Sequence, residues 1–245
     1  MVTAPKKPMF DGYANCHQCD IRDFVLFAEL IDSDFDLIAH PIPKYIYEAG
    51  SIIYPAGDAG QAIFTVRHGI VKLVYFGPDG SQRIVGLLRV GSVAGIEALA
   101  GKPYEQTAIA MDEVHVCRIA SEDVNRLDLV SPRLHRQLVE RWYISLRDAN
   151  NWIIYMSTGE AKVRLARLLL YLTGIENECE LFSREDIGAV LGLTSETVIR
   201  TITDFKEARL ISKKKRNYCK CDTKALRSMA GYESRSIPDP NQHTS

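Results

Sequence analysis

The sequence lacks several features that would define whole classes of protein. Its longest apolar run, residues 166–172, is interrupted by Arg167 and is far too short to cross a bilayer. The first ten residues contain two lysines but no apolar segment, so we expect no secretory signal, no membrane partner and a cytoplasmic location. A net charge of −1 excludes the global basic field that marks many nucleic-acid-binding proteins.

Cysteine is also scarce, because the 245 residues contain only six. In a cytoplasmic chain of this size, six cysteines do not predict a disulfide framework, so they are thiols, ligands or core residues. Cys219 and Cys221 lie on one face of a predicted strand, where a redox or metal-binding role competes with a structural one. The remaining composition, 46% hydrophobic and 25% charged, is ordinary for one large or two modest globular domains.

The stretch Ser183–Ala208 has the pattern of a helix, a tight turn and a second helix. Ser183 is a candidate N-cap, and Gly192 falls where a left-handed residue ends a helix. Thr194 or Ser195 can cap the second helix. Apolar residues recur at helical spacing on both sides of the turn, at Ile187, Val190, Leu191, Val198, Ile202 and Phe205. This pattern predicts a helix-turn-helix, which lays its second helix in the major groove of DNA.

The exposed face of the predicted second helix carries Glu196 and Arg200, four residues apart. Arginine can bind O6 and N7 of guanine, and glutamate can accept from N4 of cytosine, although an ordinary ion pair between the two is the alternative. The basic run 213–216 resembles a wing that touches phosphates. The predicted DNA contacts are Thr194, Ser195, Glu196, Thr197, Ile199, Arg200, Lys213, Lys214 and Lys215.

Residues 45–119 consist of short β-branched and aromatic runs separated by glycine-containing turns, which predicts an antiparallel roll or barrel. This region contains no catalytic-triad motif and no phosphate-binding loop with its lysine, so we predict ligand enclosure and no enzyme activity. The predicted strands are 45–47, 51–54, 62–66, 70–76, 83–88, 107–111 and 114–119.

Residues Pro132–Met156 predict a long helix with a seam of apolar residues in alternating steps of four and three. The seam consists of His135, Val139, Trp142, Leu146, Ala149, Ile153 and Met156. We expect it to form a parallel homodimer, since a symmetric helix pair aligns two DNA half-sites. The alternative is that the helix packs only on its own domain, because Leu134 and Leu138 form a second apolar face.

The predicted fold class is therefore α+β. It combines an N-terminal antiparallel β-roll similar to cyclic-nucleotide-binding domains, a long dimerisation helix and a C-terminal winged helix-turn-helix. The predicted domains are an arm (1–20), the sensor roll (21–121), the dimerisation helix (122–158), the DNA-binding domain (159–230) and a disordered tail (231–245).

In this order, these elements resemble the CRP/FNR family of bacterial transcription regulators. Glu196-Thr197-Val198-Ile199-Arg200 is similar to the family's recognition pattern of Glu, two residues, Ser or Gly, then Arg. Ser195 stands where the cyclic-AMP branch usually has arginine, so the helix is closer to the FNR branch. The resemblance implies a palindrome with TTGA-like or TGTGA-like half-sites, with double-stranded DNA, RNA polymerase and a second copy of the chain as partners. Ile199 replaces the usual Ser or Gly and can contact a thymine methyl.

The signal is harder to predict. The cyclic-AMP branch uses a Gly-Glu pair and an Arg-Ser pair, where this chain has Gly95-Ile96-Glu97 and Gln106-Thr107. Without an arginine for the phosphate, the sequence argues against cyclic AMP. A small organic effector held between roll and long helix is favoured. The candidate residues are Glu97, Gln106, Thr107, Trp142, Tyr143 and Asn150.

The FNR branch holds a [4Fe–4S] cluster on three arm cysteines and one in the roll. Cys16 and Cys19 resemble two of the arm ligands, and Cys117 resembles the roll ligand. The third arm cysteine is missing, and three thiolates cannot complete a cysteine-only site. The candidate substitutes are Asp20, Asp23 and His17. The alternative is a degenerate remnant of the site, with Cys117 packed as a small apolar residue.

Two further hypotheses belong to other classes of protein. One is a cyclic-nucleotide-type module that controls a protein partner through its C-terminal helices. The other is a thiol redox enzyme built on Cys16 and Cys19, although the strand–helix context that lowers a thiol pKa is missing there.

Overall fold

The computed structural model describes residues 7–22, 25–174, 177–214 and 218–231. These residues divide into two compact units. The first consists of the chain up to Gly80 together with Val85–Leu146, and the second of Ser81–Ile84 together with the chain from Arg147 onward. In the described part of the chain, no helix combines the length and the apolar character needed to cross a membrane.

Two sheets, ordered β1-β2-β9-β4-β7 and β3-β8-β5-β6, form the first unit, except that the first three residues of β6 belong to the second unit. The strands β2, β9 and β4 are antiparallel neighbours, as expected for a roll. The nine strands are β1 (Met9–Tyr13), β2 (Pro43–Tyr47), β3 (Ile52–Tyr54), β4 (Ala62–His68), β5 (Val71–Phe76), β6 (Gln82–Leu88), β7 (Val93–Ala94), β8 (Thr107–Ala110) and β9 (Val114–Ala120). The sequence predicted seven of them; it missed β7, and it missed β1 inside the predicted arm.

The strand β1 forms because Met9 and Phe10 pair with Ile46 and Tyr45 of β2. None of its five residues is buried, so no apolar alternation in the sequence marks it as a strand. The roll core lies between the two sheets and is filled by side chains such as Ile63, Val66 and Val116. Burying these aliphatic groups contributes most of the stabilisation of the unit.

The helices are α1 (Asp32–Phe35), α2 (Ser121–Asp128), α3 (Pro132–Met156), α4 (Ala161–Leu172), α5 (Arg184–Leu191), α6 (Ser195–Glu207) and α7 (Thr223–Ala230). The long helix α3 has the bounds that the sequence predicted. Its inward face packs Leu134 and Leu138 into the roll core. Arg133 on the same helix binds the buried Asp34 at 2.9 Å, and this hydrogen bond lowers the pKa of the Asp34 carboxyl.

The second unit packs α4 to α7 around aliphatic and aromatic side chains, with Leu165, Ile187 and Phe205 almost fully buried. A three-stranded sheet, in the order β10-β12-β11, completes it. Its strands are β10 (Glu178–Glu180), β11 (Ile211–Lys213) and β12 (Tyr218–Cys221). The sequence did not predict β10.

Several predictions concern residues outside the described ranges. These are the first six residues of the arm, the candidate ligand Asp23, the wing residues Lys215 and Arg216, and the tail from 232 to 245.

Candidate DNA interface and sensor pocket

The turn between α5 and α6 is fixed by local hydrogen bonds and by one glycine. The Ser183 hydroxyl accepts from the Asp186 amide at 3.0 Å and caps α5. Gly192 ends α5 with φ of 63°, a left-handed conformation that costs glycine little and other residues more. The Thr194 hydroxyl then accepts from the Thr197 amide at 3.2 Å and caps α6. The Ser183 cap and the glycine turn are those that the sequence predicted, and of the two candidates for the second cap it is Thr194 that forms it.

Removing the cap of α6 by changing Thr194 to Ala should lower the free energy of unfolding of the second unit by about 1 kcal/mol. The reason is that an amide of the first turn loses its hydrogen-bond acceptor. Thr203→Ala is the matched control, since the Thr203 hydroxyl donates to the Ile199 carbonyl within the same helix and does not cap the helix end. Alanine is the better helix former at that position, so the control should be neutral or slightly stabilising. Thermal unfolding of the two variants distinguishes them; equal losses would contradict the cap's role.

The helix α6 divides its residues cleanly between core and solvent. Val198, Ile202 and Phe205 are buried against the rest of the second unit. Glu196, Ile199 and Arg200 are exposed on the opposite side, with 53% of Ile199 accessible. Among the described residues, no ion pair joins Glu196 to Arg200. The intrahelical ion pair, the alternative explanation for their spacing, is therefore not formed, and both charged groups face solvent.

The wing is a hairpin of β11 and β12 in which Ser212 pairs with Lys220. Lys213 and Lys214 are exposed beside its loop. Lys214 forms an ion pair with Glu178 of β10, which the sequence did not predict because the two residues are 36 positions apart. A carboxylate beside the ammonium group reduces the positive charge that Lys214 can offer to an anion.

The outward face of α3 exposes a row of large apolar side chains. Leu146 and Ile153 leave 63% and 62% of their surface accessible, and Val139 and Trp142 are exposed as well. His135 is exposed and its ring lies 3.0 Å from Asp128, whereas Met156, the last predicted seam position, is buried. A row of exposed apolar groups of this length on one helix marks an interaction surface.

Three thiols predicted as metal ligands line one pocket of the first unit. Cys16, Cys19 and Cys117 share it with mainly apolar side chains, and the empty space at this pocket is about 430 Å³ when the open solvent at its mouth is counted. Burial raises the pKa of Cys16 to about 11, and Cys117 and Cys19 add to the effect because like charges repel. Burial also raises the pKa of Cys117, against an opposing effect of Arg67. The thiols of Cys16 and Cys117 are therefore neutral at pH 7.

The residues of this pocket do not fit a cluster held by four cysteines. Among the described residues that line it, the pocket contains three cysteines, Cys16, Cys19 and Cys117, which is one fewer than a cysteine-only cluster needs. Two of the candidate substitutes are already paired, since Asp20 binds Arg67 and His17 lies 2.9 Å from Asp32. The third, Asp23, lies outside the described residues.

The candidate effector residues are only partly brought together. The Glu97 carboxylate accepts from the Glu105 amide at 3.1 Å, which holds Glu97 beside Gln106. The Thr107 hydroxyl is buried and accepts from the Ala56 amide. Trp142, Tyr143 and Asn150 are exposed on α3.

The interior of the roll contains an aromatic cluster that the sequence did not predict. Tyr54 and Tyr104 stack with their rings 4.0 Å apart, and Phe64 lies 5.4 Å from Tyr54. The Tyr104 hydroxyl donates to the Ala62 carbonyl at 2.7 Å. A Cβ at Gly95 would lie 2.7 Å from the Tyr104 ring, so this glycine lets the ring fill the space next to the segment of Glu97. The tyrosines themselves were the only signal for this cluster in the sequence.

Two family models match the chain. The cyclic nucleotide-binding domain matches residues 45–128, and the Crp-like helix-turn-helix domain matches residues 163–229. The transcriptional activator protein Anr of Pseudomonas protegens is 26% identical over 239 residues, which cover 94% of this chain and 98% of Anr. The fumarate and nitrate reduction regulatory protein of Yersinia pestis is 26% identical over 230 residues, which cover 90% and 92% of the two chains.

Solved structures show the same fold. FixK2 from Bradyrhizobium japonicum matches with a TM-score of 0.70 and 22% identity, over 77% of this chain and 96% of FixK2. A CRP-family transcriptional regulator from Thermus thermophilus matches with a TM-score of 0.67 and 24% identity, over 76% and 96% of the two chains. With both domain models, the full-length relatives and the helix-turn-helix in agreement, the chain belongs to the CRP/FNR family, near its FNR branch, and is a DNA-binding transcription regulator.

Proposed function

We propose that this regulator binds as a homodimer to a palindrome with TTGA-like half-sites. The observation that carries the proposal is that Glu196 and Arg200, at the start of α6, are both exposed and form no ion pair with each other in the described part of the chain. Residues at the start of a recognition helix are those that reach base edges in the major groove. Arg200 would bind O6 and N7 of a guanine, Glu196 would accept from N4 of a cytosine, and Ile199 would contact a thymine methyl.

The remaining predicted contacts would fix the position of the protein on DNA. Thr194 caps α6, and Ser195 and Thr197 lie in its first turn, where backbone amides and the helix dipole favour a phosphate. Lys213, Lys214 and Lys215 would contact phosphates along the wing, which adds affinity but no sequence information. A regulator bound in this way would act on RNA polymerase at a neighbouring promoter.

The proposal is tested by selecting bound duplexes from a randomised pool with the purified protein. We expect an inverted repeat with TTGA-like halves, whose centres lie about one helical turn or a whole multiple apart. Binding to the selected duplex should survive a salt concentration that releases random DNA, because base contacts do not depend on counterion release. Selection of single, unpaired half-sites or of no sequence would contradict the homodimer on a palindrome.

Within the wing, Lys213→Ala should weaken DNA binding more than Lys214→Ala. Lys214 is already paired with Glu178, so its ammonium group gives up that pair before it can serve a phosphate fully. For Lys213→Ala, the fall of log affinity with log salt concentration should become less steep by about one unit for each phosphate that is no longer neutralised. The change should be the same on every DNA sequence. Fluorescence anisotropy at several salt concentrations measures both variants. A larger loss of affinity for Lys214→Ala would mean that the ion pair opens on DNA.

The homodimer interface we propose is the exposed apolar row of α3. Two such rows packed in parallel would remove Val139, Trp142, Leu146 and Ile153 from water, each stabilising the dimer by about 1–3 kcal/mol if fully buried. The same helix carries Leu134 and Leu138 inward, so it can serve its own unit and a partner at once. In this proposed arrangement the helix would serve both of the alternatives that the sequence left open.

For the signal, we propose a small organic effector bound within the roll unit. Support comes from the apolar walls of the pocket at Cys16, formed by Ala14, Ile21, Leu26 and Ile42 among others, which suit a ligand of low polarity. The competing candidate for the effector site is the set of residues predicted from the sequence, which are Glu97, Gln106, Thr107, Trp142, Tyr143 and Asn150. Cyclic AMP is not favoured, since Tyr54 and Tyr104 occupy the interior beside Glu97 and no arginine stands at Gln106.

A second candidate signal is favoured by one observation only, the convergence of Cys16, Cys19 and Cys117 on one pocket. An iron–sulfur centre there would need a non-cysteine fourth ligand. The test is the iron and acid-labile sulfide content of protein purified without oxygen, with its visible spectrum before and after exposure to air. Near-stoichiometric iron and a bleaching band would favour a gas sensor. Iron-free protein that binds DNA as a dimer would exclude the iron–sulfur centre and favour the organic effector as the signal.

A further inference from the structure

The second unit contains a cluster of three buried thiols that has no part in the DNA contacts. Cys179 is the central residue of β10, and its backbone pairs directly with Cys219 of β12. Cys221 lies two residues further along β12, so its side chain is on the same face as that of Cys219. The three residues leave only 2–4% of their surface accessible.

The three sulfurs are spaced as in a metal–thiolate site. The Cys179 sulfur lies 3.2 Å from that of Cys219 and 3.6 Å from that of Cys221, and Cys219 and Cys221 are separated by 3.9 Å. From these distances, a point in their plane equidistant from all three lies about 2.1 Å from each, slightly less than a Zn–S bond of about 2.3 Å. An ion about 1 Å above that plane would therefore reach all three sulfurs at the normal bond length.

The surroundings of the three sulfurs also suit a soft cation. All three cysteines are buried, so an ion held between them would be shielded from water. The three sulfurs lie close enough together for one ion to contact all of them, and soft thiolate ligands bind soft cations preferentially.

We propose that Cys179, Cys219 and Cys221 bind one thiophilic metal ion, Zn²⁺ or Cu⁺, through three thiolates. Binding forms three metal–sulfur bonds and releases the three thiol protons to water, with no change of oxidation state. Soft thiolate ligands select these two ions over hard cations such as Mg²⁺ or Ca²⁺. The ion joins β10 to β12, the strand that also carries the wing hairpin, so the order of the wing depends on the metal.

This site is distinct from the thiol pocket at Cys16, and the test separates the two. Full-length protein with Cys16, Cys19 and Cys117 all changed to Ser keeps the buried cluster as its only cysteines. The reduced, chelator-treated variant is titrated with Co²⁺ under anaerobic conditions. We expect intense thiolate-to-cobalt charge-transfer bands that saturate at about one ion per chain and disappear on addition of Zn²⁺. A separate titration with Cu⁺ against a competing chelator shows which of the two ions binds more tightly.

In this background, Cys179→Ser should lower the metal affinity by more than about 100-fold, since one of three ligand bonds is removed. A serine at this buried position can also disturb folding, so a second measurement uses the unsubstituted cluster. Zn²⁺ should protect the three thiols from alkylation and raise the melting temperature of the serine background. Absence of cobalt–thiolate bands together with unchanged alkylation would overturn the proposal. So would a mass lower by two hydrogen atoms under non-reducing conditions, which would identify a disulfide instead.

Discussion

Replacement of Arg200 by Ala should weaken binding to the selected palindrome by about 1–3 kcal/mol for each half-site, and the dimer carries two. The guanidinium group can make two parallel hydrogen bonds to guanine, and alanine can make none. Binding to random DNA should change far less, because it depends on phosphates along the whole interface. The ratio of the affinity for the cognate duplex to that for a scrambled duplex should therefore fall steeply. Fluorescence anisotropy on both duplexes at one salt concentration measures this specificity ratio.

Two further variants identify the cause of that loss. Arg200→Lys keeps the charge but loses the planar fork, so it should retain affinity for random DNA while losing choice at one base pair. Arg227→Ala removes an exposed arginine of the same unit, on α7, and should leave the specificity ratio unchanged. If Arg200→Ala weakened cognate and scrambled duplexes equally, Arg200 would contact a phosphate and the predicted base contact would be wrong.

Replacement of Leu146 by Glu should convert the dimer largely into monomers at micromolar concentration. In a parallel pair of α3 helices, the two new carboxylates would face each other inside an apolar seam. An uncompensated buried charge costs about 3–5 kcal/mol, so the dissociation constant of the dimer should rise at least about 100-fold. Sedimentation velocity measures the monomer fraction, and cognate DNA binding should fall with it.

The control for this variant is Glu140→Arg, a charge change at an exposed position of α3 that lies off the seam. It should leave the dimer intact. Circular dichroism should show unchanged helix content in both variants, since position 146 is exposed in the single chain. A Leu146→Glu protein that remained dimeric would move the interface away from this face of α3.

The sequence was most informative where one residue type determines the local backbone. The capped turn from Ser183 to Thr194 is an example, because glycine and the hydroxyl caps act within four residues. The strand β7 could not be predicted from the sequence, since its two residues are too few to show an alternation of apolar and polar side chains. The strand β10 was missed for a different reason: its sequence Glu-Cys-Glu has two charged residues, which are typical of a loop.

The contacts that the sequence could not predict are those between distant parts of the chain. Nothing near Cys179 indicates that it meets two cysteines about 40 residues later, because only the pairing of β10 with β12 brings them together. The ion pair of Lys214 with Glu178 depends on the same pairing. Candidate residues for DNA could be chosen from one helix, whereas the thiol cluster required the sheet.

The position of β12 at the centre of its sheet limits which insertions and deletions the wing can tolerate. Its alternate residues Cys219 and Cys221 point inward, while Tyr218 and Lys220 point to solvent. A deletion that moved the strand by one residue would turn both thiols outward and bury an ammonium group. Because both neighbouring strands fix this register, length variation among relatives of this protein should be confined to the hairpin loop and be absent from the strand itself.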